Sequence, residues 1–127
     1  MIISTIGSTS RTRNGDEEIR WRSLARRGML HSECESFDYV RLAPGTRFAL
    51  RGREGIESAW FVVAGSGRLL EPDSDAPARA LEPGELILLP DGKQGHLVSG
   101  DTGLELLWLA VMPRELSQSL PPRRPEL

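Results

Sequence analysis

Apolar residues along this chain fall in short runs that glycine and proline interrupt. Phe37-Asp38-Tyr39-Val40-Arg41-Leu42 leads into Pro44-Gly45, Trp60-Phe61-Val62-Val63-Ala64 into Gly65-Ser66-Gly67, and Leu86-Ile87-Leu88-Leu89 into Pro90-Asp91-Gly92. Turn signals at this spacing predict a sandwich or barrel of short strands. Asp38 to Leu42 alternates polar and apolar, the pattern of a strand with one buried face. Residues 104–112 (Leu-Glu-Leu-Leu-Trp-Leu-Ala-Val-Met) are long enough for a helix. Gly103, Pro113 and the surrounding β pattern instead predict a strand buried on both faces. Residues 14–27, with Trp21-Arg22-Ser23-Leu24-Ala25, admit a turn of helix. Residues 7–18 are polar and read as loop or edge structure. Residues 113–127 hold Pro113, Pro121, Pro122 and Pro125, so they form neither a regular helix nor a central strand. One domain over residues 1–112, with an N-terminal extension, and a Pro-rich tail over 113–127 follow.

Composition narrows the function classes. A chain of 127 residues with 39% hydrophobic and 27% charged positions is an ordinary single globular domain. A net charge of -2 argues against a nucleic-acid partner, which normally presents a concentrated basic face. No apolar run approaches the roughly 20 residues of a membrane span. Met1-Ile2-Ile3-Ser4 does not open a secretory signal, and a single cysteine, Cys34, leaves no internal disulfide. A cytoplasmic setting is expected. Fifteen of the sixteen basic residues are arginine, with Lys93 the exception, so anion recognition has to be argued position by position.

Gly45, Gly65 and Gly84 fall where the chain must reverse between strands, and glycine alone enters positive φ without strain. Pro44 and Pro83 pre-set the turns before two of them. This skeleton resembles the two motifs of the cupin superfamily. The first family motif is glycine, five residues, His-x-His, three or four residues, Glu, six residues, glycine. Here Gly45, Arg51-Gly52-Arg53, Ser58 and Gly65 keep that spacing, with the ligand positions replaced. In the second motif Gly84, Pro90 and Gly92 match in register, Gly95 stands at the His position, and His96 comes one residue late. The resemblance spans residues 41–112. It implies an all-β, double-stranded β-helix (jelly-roll) cupin barrel with an internal small-molecule pocket.

A metal in such a barrel needs converging imidazole and carboxylate ligands. Arginine cannot replace them, because its guanidinium stays protonated and offers no lone pair. The chain has two histidines, His31 and His96. The expectation is a cupin without a metal or other cofactor, a weak His31, Glu57, His96 site being the one alternative.

Alternation puts Ser58, Trp60 and Val62 on one face of a strand. The resemblance turns that face, with Arg51 and Arg53, toward the pocket. Arginines in a barrel cost several kcal/mol unless paired, so they bind an anionic ligand, pair with Glu57 or Glu54, or sit at the mouth with their heads in water. His96 is the candidate proton carrier, since His titrates near neutral pH unperturbed. Glu57 is its candidate partner. A surface loop histidine and a simple Glu57–arginine ion pair are the competing readings. Tyr39, Trp60, Trp108 and Trp21 are candidate pocket walls, and core packing is the alternative for Tyr39, Trp108 and Trp21.

The resemblance thus points to a metal-independent cyclase, isomerase, epimerase or dehydratase acting on a small anionic or polyketide-like metabolite in bacterial biosynthesis. A non-catalytic binding or sensor cupin is the alternative, and a metal-dependent oxygenase the minor one. The family also implies a homodimer, with Ile2-Ile3 and Ile6 adding a strand across the subunit interface or within the same barrel.

Overall fold

The computed structural model describes residues 1–29, 34–51, 56–72, 75–90 and 94–112, with the backbone alone at Arg51. Eight strands run in chain order: β1 (Ser10–Asn14), β2 (Glu17–Arg26), β3 (Cys34–Leu42), β4 (Arg47–Arg51), β5 (Glu57–Leu70), β6 (Arg79–Leu81), β7 (Leu86–Leu89) and β8 (Gln94–Val111). No helix occurs among the described residues, and the turn of helix admitted over 14–27 is replaced by β1 and β2. The reason is legible in Ile19-Arg20-Trp21-Arg22, a period of two with its apolar members on one face. Ile2, Ile3 and Ile6 are exposed and precede β1 outside any strand.

All pairs are antiparallel, and two long strands organise them. The second half of β8 lies between β3 and the first half of β5, while its first half lies between β4 and the second half of β5. The ladder therefore folds on itself into two layers. One runs β1-β2-β3-β8-β5-β7 and the other β4-β8-β5-β6. The fold falls at register shifts between Val62 and Ala64 and between Gly65 and Gly67. Gly65 has φ 90°, and a Cβ there would lie 2.2 Å from the Gly103 carbonyl oxygen, so the chain can turn this corner only with glycine. Gly45 and Gly84, the other two turn glycines of the sequence pattern, also have positive φ, 73° and 91°.

Between the layers Val40, Leu42, Leu50, Trp60, Val62, Leu81, Leu89, Leu97, Leu104 and Leu106 form the main core. Thr46 and Ser99 tie the layers together: the Thr46 amide donates to Ser99 Oγ at 2.8 Å, and the Glu18 amide donates to Thr46 Oγ1 at 3.0 Å. The strand expected to be buried on both faces is buried on one. Leu104, Leu106, Ala110 and Met112 face inward, while Leu107, Leu109 and Val111 are only half-covered on the other side. No helix among the described residues is long and apolar enough to cross a membrane.

Candidate functional site

An aromatic cluster occupies the middle of the core. Trp60 on β5 and Trp108 on β8 are directly paired, their rings stacked at 4.5 Å and 11°. Phe48 on β4 meets Trp60 edge-on from the opposite layer, at 5.4 Å and 67°. The Trp60 indole donates to the buried Ser58 hydroxyl at 3.1 Å. Trp108 Nε1 is equally buried but has no hydrogen-bond partner among the described residues. A buried indole N–H normally finds an acceptor.

The unequal layers open a cavity beside this cluster. Among the described residues β4 pairs only with β8 and is an edge of its layer, whereas the facing layer continues past β3 to β2 and β1. The overhang leaves a space of about 310 Å³ lined by Thr12, Ile19, Trp21, Asp38, Val40, Phe48 and Trp108. That lies at the small end of ligand-site volumes. Trp21 is half in solvent and marks the mouth. Asp38 pairs in register with Trp108 and is the only ionisable side chain lining the space among the described residues. Asp38 shares parity with Val40 and Leu42, the buried face of β3, so its side chain faces inward although it is charged.

The same parity corrects the expectation for Tyr39, which points to the other side of the sheet. It is 7% exposed, and its hydroxyl donates to the Glu105 carboxylate. Burial first, then that hydrogen bond and the negative charge of Glu105, push its pKa up to about 12. Ser58 and Trp60 face inward as expected, behind the cavity rather than on its wall, and Trp108 is the wall itself. His96 is exposed between buried Gly95 and Leu97, so it projects outward. Glu57 is exposed at the first residue of β5, while His96 pairs with Leu70 at the last. The two are therefore not brought together, and neither lines the cavity. Arg53, His31 and the Arg51 side chain lie outside the described residues. Trp21, like Trp108, lines the cavity, the pocket-wall alternative to core packing that the sequence left open for both, while Asp38, Phe48, Ile19 and Thr12 are site residues that the sequence reading missed.

The donor set at the family's ligand positions does not fit a divalent cation. The Ser58 hydroxyl accepts the Trp60 indole N–H, Gly95 has no side chain, and arginine carries no lone pair. Among the described residues no three His, Cys, Asp or Glu side chains converge.

Neither a family model nor a curated protein sequence matches the chain. Solved structures do. A predicted oxalate decarboxylase from Thermotoga maritima superposes with a TM-score of 0.70 at 18% identity, covering 88% of this chain and 99% of that one. KdgF from Halomonas sp. gives 0.68 at 14% identity, with 94% and 100% covered. A Cupin 2 conserved barrel domain protein from Salinispora arenicola gives 0.65 at 17%, with 79% and 81% covered. Identities this low speak to architecture, and here the architecture agrees with the glycine and proline turns that Gly45, Gly65 and Gly84 place at cupin spacing. The chain has the cupin barrel fold.

Proposed function

We propose that this cupin binds a small, flat, mostly apolar metabolite between Trp21, Phe48 and Trp108, without a metal. The observation that carries the reading is the buried Trp108 Nε1–H, which lacks an acceptor among the described residues at the wall of an aromatic cavity. A ligand carbonyl, enol or phenol oxygen supplies that acceptor, and the aromatic side chains supply flat apolar walls. A planar oxygenated compound of polyketide-like character has both features. Asp38, in register with Trp108, can accept a ligand hydroxyl or move a proton, which keeps a metal-independent isomerase, cyclase or dehydratase step within reach of the site. In that reading Asp38 takes the role first assigned to His96 and Glu57.

The test is titration of the chain with a hydroxyanthraquinone, followed by quenching of tryptophan fluorescence. Trp108→Phe keeps the ring stack and removes the donor, so affinity is expected to fall about tenfold, the worth of one hydrogen bond. Undiminished binding by that variant would remove Trp108 from the site. Consumption of a bound compound that Asp38→Asn abolishes supports the enzyme, and stabilisation without consumption supports the binding or sensor protein.

A further inference from the structure

The outward side of β1, β2 and β3 carries a row of arginines that packing does not explain. Arg11 pairs in register with Arg20, and Arg20 with Arg41, so three guanidinium side chains leave the sheet side by side. Neighbouring strands lie about 4.8 Å apart, which puts the three within about 10 Å. Arg13 follows on the same side of β1, about 6.8 Å from Arg11. Like charges directly opposed across strands lower stability, and acidic residues offset only part of this. Glu18 holds Arg20 at 2.7 Å, and Glu105, in register with Arg41, accepts the Tyr39 hydroxyl. Arg11, Arg13 and Arg41 enter no side-chain ion pair among the described residues. The Arg20 hydrogen bond first, with the charges of Arg20, Arg11 and Arg13 behind it, holds the Glu18 carboxyl below its ordinary range, which registers the positive field of the row.

Beside the row the surface is concave. A depression of about 290 Å³ is lined by Arg20, Arg41, Pro44 and Thr102, and a second of about 250 Å³ shares Arg41 and Thr102 with it. The Thr102 hydroxyl, exposed and hydrogen-bonded to Ser66 at 3.2 Å, adds a neutral polar group common to both.

We propose that this row is a second binding site, for a small molecule that bears a diphosphate or triphosphate group. Phosphate suits the donors, because the guanidinium fork presents two parallel N–H groups to two oxygens of one anion. The spacing selects linked phosphates, since three cations within about 10 Å match several charges on one short chain, whereas a lone carboxylate answers only one of them. An anion bound here also relieves the like-charge repulsion that the free chain carries. The strip is short for a nucleic acid. Glu18 lies opposite Arg13, Glu105 closes the row beyond Arg41, and the net charge of the chain is -2, whereas a nucleic-acid interface spreads over roughly 600 Å² or more. Arg41 alternates with Val40, which lines the aromatic cavity, so the row lies across the sheet from that cavity and takes a separate ligand.

Isothermal titration calorimetry of the full chain with sodium orthophosphate, pyrophosphate and tripolyphosphate tests this. Tripolyphosphate is expected to bind about tenfold or more tightly than orthophosphate, and to weaken as sodium chloride rises, because the charges are exposed. Arg11→Gln and Arg41→Gln, made separately at the two ends of the row, are each expected to lower its affinity about tenfold, the worth of one charge-assisted contact. Both side chains are exposed, so both variants are expected to keep the wild-type circular dichroism. Arg68→Gln removes the same charge from an exposed position on the other layer and is expected to leave the affinity unchanged. An equal loss in Arg68→Gln overturns the proposal, since attraction then follows net charge and not the row. So does an affinity that both end variants retain, or the absence of tripolyphosphate binding at about 1 mM. Tighter binding of oligothymidylate than of tripolyphosphate overturns it in favour of a nucleic-acid surface, and tighter binding of citrate overturns it in favour of a polycarboxylate.

Discussion

The two faces of the β7-β5-β8-β3 sheet are built from the same residue types and meet opposite surroundings. Inward, Trp60, Val62, Leu106 and Val40 are almost completely covered by the facing layer. Outward, Phe61 is 39% and Leu86 56% exposed, and Leu107 is only half-covered. Apolarity alone therefore records that a face is to be covered, not what covers it. The inner face also lines a cavity with polar atoms. At Ser58, Trp60, Trp108 and Asp38, polar atoms sit within apolar walls, where each unmade hydrogen bond is costly and selects what enters.

The sharpest way to break this contrast is to compare adjacent residues of opposite parity. Trp60→Ala removes a side chain packed against Phe48 and Trp108, and is expected to cost about 3–5 kcal/mol in urea unfolding. Phe61→Ala is expected to cost less than half of that in dilute protein. Equal losses would mean that the two faces are not distinct. Gly65→Ala attacks the corner that brings the faces into being. Its φ of 90° and the Gly103 carbonyl oxygen 2.2 Å from the new Cβ leave no room. A loss of about 2–3 kcal/mol is expected in the same measurement.

Much of the fold could be read from the sequence, because turns are local. Gly45, Gly65 and Gly84 announce positive φ without reference to anything distant, and their spacing sets the strand lengths. The site was harder to read because it depends on which layer is longer. Trp21, Ile19 and Thr12 line the cavity only because β1 and β2 extend past β4, a relation that no local pattern carries. Residues 7–18 read as polar loop or edge and 14–27 as a turn of helix, because the outward arginines, Arg20 and Arg22, interleave with the inward residues and blur the period of two. His96 and Tyr39 fail as pocket residues for a simpler reason. Each is one residue out of phase with a buried neighbour, Leu97 and Val40, and a shift of one moves a strand residue to the other face. The Trp108 indole could be anticipated as a wall, but its missing acceptor shows only in three dimensions.

Tyr39 lies where the outer face is already closed, and its titration sharpens the comparison. The folded chain holds the Tyr39 proton to about pH 12, whereas the unfolded chain releases it near the ordinary value of 10. Unfolded chains therefore lose the proton first, so this contribution to stability is complete below pH 10 and disappears as pH rises through the window to 12. Melting temperature in wild type is expected to fall across that window by more than in Tyr39→Phe. Parallel curves for the two would show that the buried hydroxyl and Glu105 do not set the alkaline limit.

The smallest effect comes from the most exposed position and is the most discriminating. Leu88→Ser, at a side chain 67% exposed, is expected to change the unfolding free energy of dilute protein by no more than about 0.5 kcal/mol. An inward leucine such as Leu106, fully buried on β8, is expected to lose several times as much on truncation to Ala. Raising the protein concentration separates the two further. If a second copy covers the outer face, the wild-type melting temperature climbs with concentration, because association stabilises the folded chain by mass action, and Leu88→Ser flattens that slope. An inner truncation lowers the whole curve and leaves its slope intact. A wild-type melting temperature independent of concentration would mean that the outer face stays bare despite carrying the same residues as the core.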